Sequence, residues 1–141
     1  MITILAGSRT IDEYRIIREG MKLVPWRITR VVSGCCRGPD KLGERWAHEH
    51  GIPVDRFPAK WSEFGKRAGY LRNEQMAGHA DALVAFFELK SAGTQHMINL
   101  AKQYSLELVV IGVDEERNPY LVEHRPMGGG RRAGELKKRS S

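Results

Sequence analysis

Val31-Val32-Ser33-Gly34-Cys35-Cys36-Arg37-Gly38-Pro39-Asp40 decides how this chain folds. Two β-branched residues run into a turn bounded by glycines, and the proline that follows suits the first position of a helix. A strand that stops, turns tightly and feeds a helix aims backbone N–H groups and the positive end of a helix dipole at one spot. Such a spot attracts anions, phosphates above all. Arg37 adds a fixed charge able to make a bidentate contact. The competing reading is an ordinary corner whose glycines only make the turn, because short Gly-rich motifs match many unrelated sequences.

The same unit recurs on either side. Ile2 to Ala6 reads as a buried strand ending at Gly7-Ser8-Arg9-Thr10, with Ser8 or Thr10 available to cap a helix. Tyr14, Ile17, Met21 and Val24 share one helical face, which Pro25 ends. After Pro39 a second helix carries Leu42 and Trp46 and stops at His50-Gly51. Ile52 to Phe57 is expected as a less apolar edge strand, Pro58 to Gly65 as a long loop, and Lys66 to His79 as helical in its second half with Leu71, Met76 and Ala80 inward. Ala82-Leu83-Val84-Ala85-Phe86-Phe87 has the uninterrupted apolar run of a central strand. A loop over Leu89 to Gly93, a helix capped by Thr94 and a strand over Leu106 to Val113 follow.

This alternation predicts an α/β fold, a Rossmann-like three-layer sandwich with a mainly parallel sheet in the order 3-2-1-4-5. The switch point then lies between the first and fourth strands, where ligands of such sheets bind. Three turns should converge there: Gly7-Ser8-Arg9, Gly34 to Gly38, and Ser91-Ala92-Gly93-Thr94.

Composition narrows the function classes. The 141 residues carry a formal charge of +6. Residues 125–141 hold six Lys/Arg and one acid, so the first 124 residues hold 17 basic and 16 acidic groups and are nearly neutral. A nucleic-acid role is therefore confined to weak contact through a basic tail, expected to be disordered from about 125. Domain boundaries are expected at 1–113 and 114–141. Two adjacent cysteines make no disulfide framework, and no Cys/His set has zinc spacing. No cofactor, metal or membrane contact is expected, and the expected compartment is the cytoplasm.

Together these motifs resemble the SLOG superfamily of Rossmann-like domains, most closely its YspA-type branch. The resemblance covers roughly residues 1–113. It rests on Gly7-Ser8-Arg9, on Ser33-Gly34-x-x-Arg37-Gly38-x-Asp40, and on Phe57-Pro58-Ala59-x-Trp61 with Gly69-x-x-Arg72-Asn73-x-x-Met76. Gly93-Thr94-x-His96 completes the set. It implies binding of a nucleotide or nucleotide-derived molecule, such as one related to NAD or ADP-ribose, and assembly into a homo-oligomer. The LOG phosphoribohydrolases, a more distant branch, cleave N-glycosidic bonds of nucleoside monophosphates. Their Arg-Lys-x-x-Met motif matches at Arg72 to Met76 with Asn73 in place of lysine, and their catalytic glutamate aligns with Met97. Without that carboxylate the same mechanism lacks its charge stabilisation; Glu88, just after the fourth strand, could substitute from another direction, though nothing in the sequence requires it. DNA-processing protein A, another relative, binds single-stranded DNA, for which the nearly neutral body offers little.

The ligand-binding set expected from these readings is Gly7, Ser8, Arg9, Gly34, Arg37, Gly38, Asp40, Arg72, Asn73, Gly93 and Thr94, with Trp61 as a base-stacking residue. Each has a plainer alternative. Ser8 caps a helix, Arg9 and Arg37 form surface ion pairs, and Asp40 is a first-turn acid matched to the helix dipole. Asn73 makes an interhelical bond, Trp61 anchors its loop, and His96 is a surface histidine rather than an acid or base. Cys35 and Cys36 replace the small residues usual in the family pattern, as reactive thiols or turn fillers.

Overall fold

A computed structural model of the chain describes residues 1–128. Six strands form one sheet in the order β3-β2-β1-β4-β5-β6. They are β1 (Ile2–Gly7), β2 (Arg30–Ser33), β3 (Val54–Arg56), β4 (Ala82–Phe86), β5 (Glu107–Val113) and β6 (Pro119–Arg125). The first five are parallel, with Ile4 level with Val32 and Leu83, and β6 returns antiparallel beside β5. The order of the parallel strands and the switch point between β1 and β4 are those the sequence predicts.

The sheet separates two apolar layers because successive strand residues point to opposite faces. Ile4, Val32, Leu83, Leu108 and Val110 pack with Met76 and Ala77 of α4 (Ala68–His79) and with Met97 and Ala101 of α5 (Ala92–Gln103). Leu5, Val31, Val84, Val109 and Ile111 pack with Ile16 and Ile17 of α1 (Tyr14–Gly20) and Ala47 of α2 (Pro39–Glu49). β4 is buried at all five positions. Each of its large side chains contributes roughly 1.5–3 kcal/mol on burial.

Three local expectations are corrected. The Pro58 to Gly65 loop contains a one-turn helix, α3 (Trp61–Phe64), followed by a 3-10 turn. The α5 helix begins at Ala92 with Ser91 at its N-cap, so Thr94 stands in the first turn and accepts a 2.8 Å hydrogen bond from Ser91 Oγ. On α4 the inward positions belong to Arg72, Asn73 and Met76, while Leu71 is half-buried. On α2 the fully buried positions are Asp40, Gly43, Glu44 and Ala47, and the expected face of Leu42 and Trp46 packs half-buried against the same apolar layer.

The sheet also continues beyond 113, where the sequence pattern breaks up. Residues 114–118 turn the chain back, with Asp114 N–H donating to Asn118 O at 3.0 Å, and β6 runs along β5. Past β6, Met127 N–H donates to Glu107 Oε1 at 2.8 Å and Gly128 N–H to Ser105 O at 3.0 Å. The rest of the basic tail, from 129, lies outside the described residues.

Candidate functional site at the switch point

The carboxyl ends of β1 and β4 diverge above a crevice of about 360 Å³. Its floor is apolar: Ala6, Met76 and Met97. Its walls are the three turns expected to converge, together with α4. The first two turns interlock through Gly38, whose φ of +90° opens the corner into α2. A Cβ there would lie 3.1 Å from Arg9 Cα and 3.2 Å from Ser8 O, so both the backbone angle and the packing require glycine.

Arg72 is the centre of the site. It is only 8% exposed, and its guanidinium donates Nη1 to Gly34 O, Nε to Asn73 Oδ1 at 2.9 Å and Nη2 to Cys36 Sγ at 3.7 Å. Asn73 passes the constraint on, donating Nδ2 to Gly93 O at 3.3 Å and meeting His96 Nδ1 at 3.1 Å. One buried network thus ties α4, the β2 turn and the first turn of α5. Gly34 marks the tightest point. A Cβ there would stand 2.7 Å from Arg72 Nη1 and 2.8 Å from Asp40 Oδ2.

Asp40 shares this enclosure. It accepts from Cys36 N–H at 3.4 Å through Oδ2, while Oδ1 accepts no hydrogen bond among the described residues. Burial pushes its carboxyl up to about 6, against the pull of Arg72, the Cys36 amide and Arg9. Across the crevice Glu88 is treated in the opposite way. Hydrogen bonds from Arg117, at 2.6 and 3.3 Å, and from Thr10 Oγ1, at 2.8 Å, hold it below the usual carboxylate range despite partial burial. Arg117 sits in the β5–β6 turn with φ +65° and also reaches Glu13 at 3.2 Å. The hairpin therefore braces the crevice rim from the far side of the sheet.

The expected ligand-binding residues divide into two groups. Gly7, Ser8, Arg9, Asp40, Arg72, Asn73, Gly93 and Thr94 line the crevice, and Gly34 stands behind Arg72. Ser8 Oγ is engaged elsewhere, donating to Glu88 O at 2.9 Å and accepting from Glu88 N–H at 3.1 Å, so it clips the β1 and β4 turns together. A Cβ at Gly93 would meet nothing within 4 Å, so close packing does not require glycine there.

Arg37 is exposed and off the lining, as is Trp61, 53% exposed on α3. Gly38 shapes the turn without facing the crevice. His96 lies outside the lining too, edge-on to Tyr70 with ring centres 4.6 Å apart, and burial lowers its tendency to protonate. Cys36, Leu89, Lys90 and Ser91 join the lining without having been in the expected set. Cys36 follows from the turn itself. Cys35 takes φ +67°, leaving Cys36 on the crevice side and Arg37 outward.

Among the described residues no group of three or more His, Cys, Asp or Glu is arranged to hold a metal ion, and no helix is long and apolar enough to cross a membrane. Residues 1–64 match the YspA, cpYpsA-related SLOG family. The chain is also similar to the Gene 61 protein of Mycobacterium phage D29, 35% identical over 88 residues, a match covering 58% of this chain and 70% of that protein.

Proposed function

The chain belongs to the YspA, cpYpsA-related SLOG family, and on that premise we propose that its switch-point crevice binds a nucleotide or nucleotide-derived anion as a sensor, carrier or sequestering protein. The observation that carries this reading is the convergence of two guanidiniums, Arg9 from the β1 turn and Arg72 from α4, on Cys36 at the crevice wall. The first turn of α5 contributes Gly93 and Thr94 to the same wall, at the positive end of a twelve-residue helix. A volume near the lower end of the ~300–1,000 Å³ range of small-molecule sites suits one nucleotide unit better than an extended dinucleotide. The apolar floor of Met76 and Met97 offers an apolar contact for a base or sugar. Native mass spectrometry of freshly purified protein tests the reading. A retained nucleotide mass, lost in Arg9→Ala, supports it; an unloaded protein that also ignores a panel of nucleoside monophosphates and ADP-ribose contradicts it.

A second reading, N-glycosidic cleavage, is favoured by the opposed carboxyls. Asp40, held partly protonated near neutral pH, suits a general acid, and Glu88, held ionised, suits stabilisation of an oxocarbenium-like centre. Met97, at the position of the LOG phosphoribohydrolases' catalytic glutamate, is only 1% exposed and forms part of the core, so Glu88 would have to serve in its place. Release of free base from a nucleoside monophosphate, lost in both Asp40→Asn and Glu88→Gln, supports cleavage; binding without release leaves a pure binder.

Homo-oligomer formation is part of the proposal. Edge strand β6 exposes Tyr120, Leu121 and Val122 in succession and is the surface that would pair two copies. Light scattering giving only the monomer mass at high concentration contradicts it.

A further inference from the structure

We propose that Cys36 is a hydroperoxide-reactive thiol whose oxidation closes the anion crevice. The two adjacent cysteines have different surroundings. Cys35 Sγ turns toward Ser33 O, 3.8 Å away, and does not line the crevice. Cys36 lines it, and its sulfur receives Nη2 of Arg9 and Nη2 of Arg72, each at 3.7 Å. A thiol sulfur is a weak acceptor. Two cationic donors on one sulfur exceed what turn filling requires.

In the reaction, the Cys36 sulfur attacks one oxygen of a hydroperoxide. An S–O bond forms from a sulfur lone pair and the O–O bond breaks. The departing oxygen leaves with the thiol proton as water or an alcohol. Cysteine is oxidised to a sulfenic acid and the peroxide is reduced, so atoms and electrons balance without a further reagent. The guanidiniums of Arg9 and Arg72 face the charge that grows on the departing oxygen. Afterwards they hold the new sulfenic oxygen, which occupies the donors an anionic ligand needs. Oxidation and anion binding become mutually exclusive. The reactivity stands on the sulfur's surroundings alone; the coupling to ligand rests on the nucleotide reading above.

The full-length chain is treated with limiting hydrogen peroxide in the presence of dimedone, and peptide-resolved mass spectrometry separates label on Cys35 from label on Cys36. Cys36 is expected to label roughly tenfold faster than Cys35, and Arg9→Gln to slow it severalfold, the scale of losing one charge-assisted hydrogen bond. Arg9 is exposed, so that variant retains the fold. Equal labelling of the two cysteines, or labelling indifferent to Arg9→Gln, overturns the proposal. Adenosine monophosphate is expected to protect Cys36. Arg9-dependent labelling that it does not slow supports the reactive thiol and overturns the coupling to nucleotide.

Discussion

Replacing Asp40 with asparagine should make the protein more stable at neutral pH. Asp40 is 5% exposed and its carboxyl titrates near 6 in the fold, against an ordinary value of 3.8. The folded state therefore favours the neutral form. Below about pH 3 the group is neutral in both folded and unfolded chains and costs nothing. As pH rises from there through about 6, the unfolded chain gains from ionisation that the folded chain resists, and stability is lost. A shift of about two units corresponds to roughly 3 kcal/mol. The asparagine side chain can still accept from the Cys36 N–H, and its amide nitrogen takes the place of Oδ1, which accepts nothing among the described residues. Urea denaturation at pH 4, 5, 6 and 7.5 measures the difference. Asp40→Asn is expected to gain up to about 3 kcal/mol at pH 7.5, about half of that near pH 5, and only about 0.5 kcal/mol at pH 4. A variant less stable than wild type at pH 7.5, or a difference flat with pH, refutes the reasoning.

Substitutions at three further positions probe the surrounding geometry. Cys35→Gly relieves a left-handed φ of +67°, which should raise stability by about 1 kcal/mol in chemical denaturation, whereas Cys35→Val should lower it. Gly34→Ala places a methyl 2.7 Å from Arg72 Nη1 and should displace the guanidinium, weakening anion binding by calorimetry at least about tenfold through the loss of one charge-assisted bond. Arg117→Ala removes the cation that holds Glu88 ionised. Because the Glu88 carboxyl is depressed in the fold, that contribution exists at neutral pH and is lost as pH falls through the carboxylate range. The variant should be destabilised by at most about 1 kcal/mol at pH 7 for a partly exposed pair, and the difference should vanish in acid.

The parallel sheet was legible because its strands are short apolar runs closed by turn residues, and the uninterrupted run Ala82 to Phe87 has the pattern of a central strand, which forms over Ala82–Phe86. Strand β6 was not. Its residues are mostly exposed, it begins at a proline and carries Glu123, His124 and Arg125, and only its pairing with β5 makes it a strand. The short α3 helix lacks buried residues and left no periodic signal.

On α4 the apolar pattern pointed to Leu71, yet the buried positions there include Arg72 and Asn73, as those of α2 include Asp40 and Glu44. Periodicity cannot register a helix face whose polar residues are satisfied by one another. Glu44 illustrates this, accepting from Ser33 Oγ at 2.6 Å and Arg56 Nε at 2.9 Å. Within the β2 turn, one residue's backbone angle chose between neighbours. Arg37 had the chemistry for an anion, but the chain set Cys36 on the crevice wall. Arg117 could not be inferred at all, since its contact with Glu88 spans 29 residues and depends on the hairpin closing over the rim.

The central claim is that the Arg9–Arg72 crevice holds a nucleotide-derived anion, and isothermal titration with nucleoside 5′-monophosphates and ADP-ribose tests it most directly. Wild type should bind at least one of them. Arg9→Ala, altering an exposed side chain at the crevice wall, should lose at least about tenfold in affinity with its unfolding midpoint unchanged. Equal affinity in the two proteins, or no heat from any member of the panel, contradicts the account.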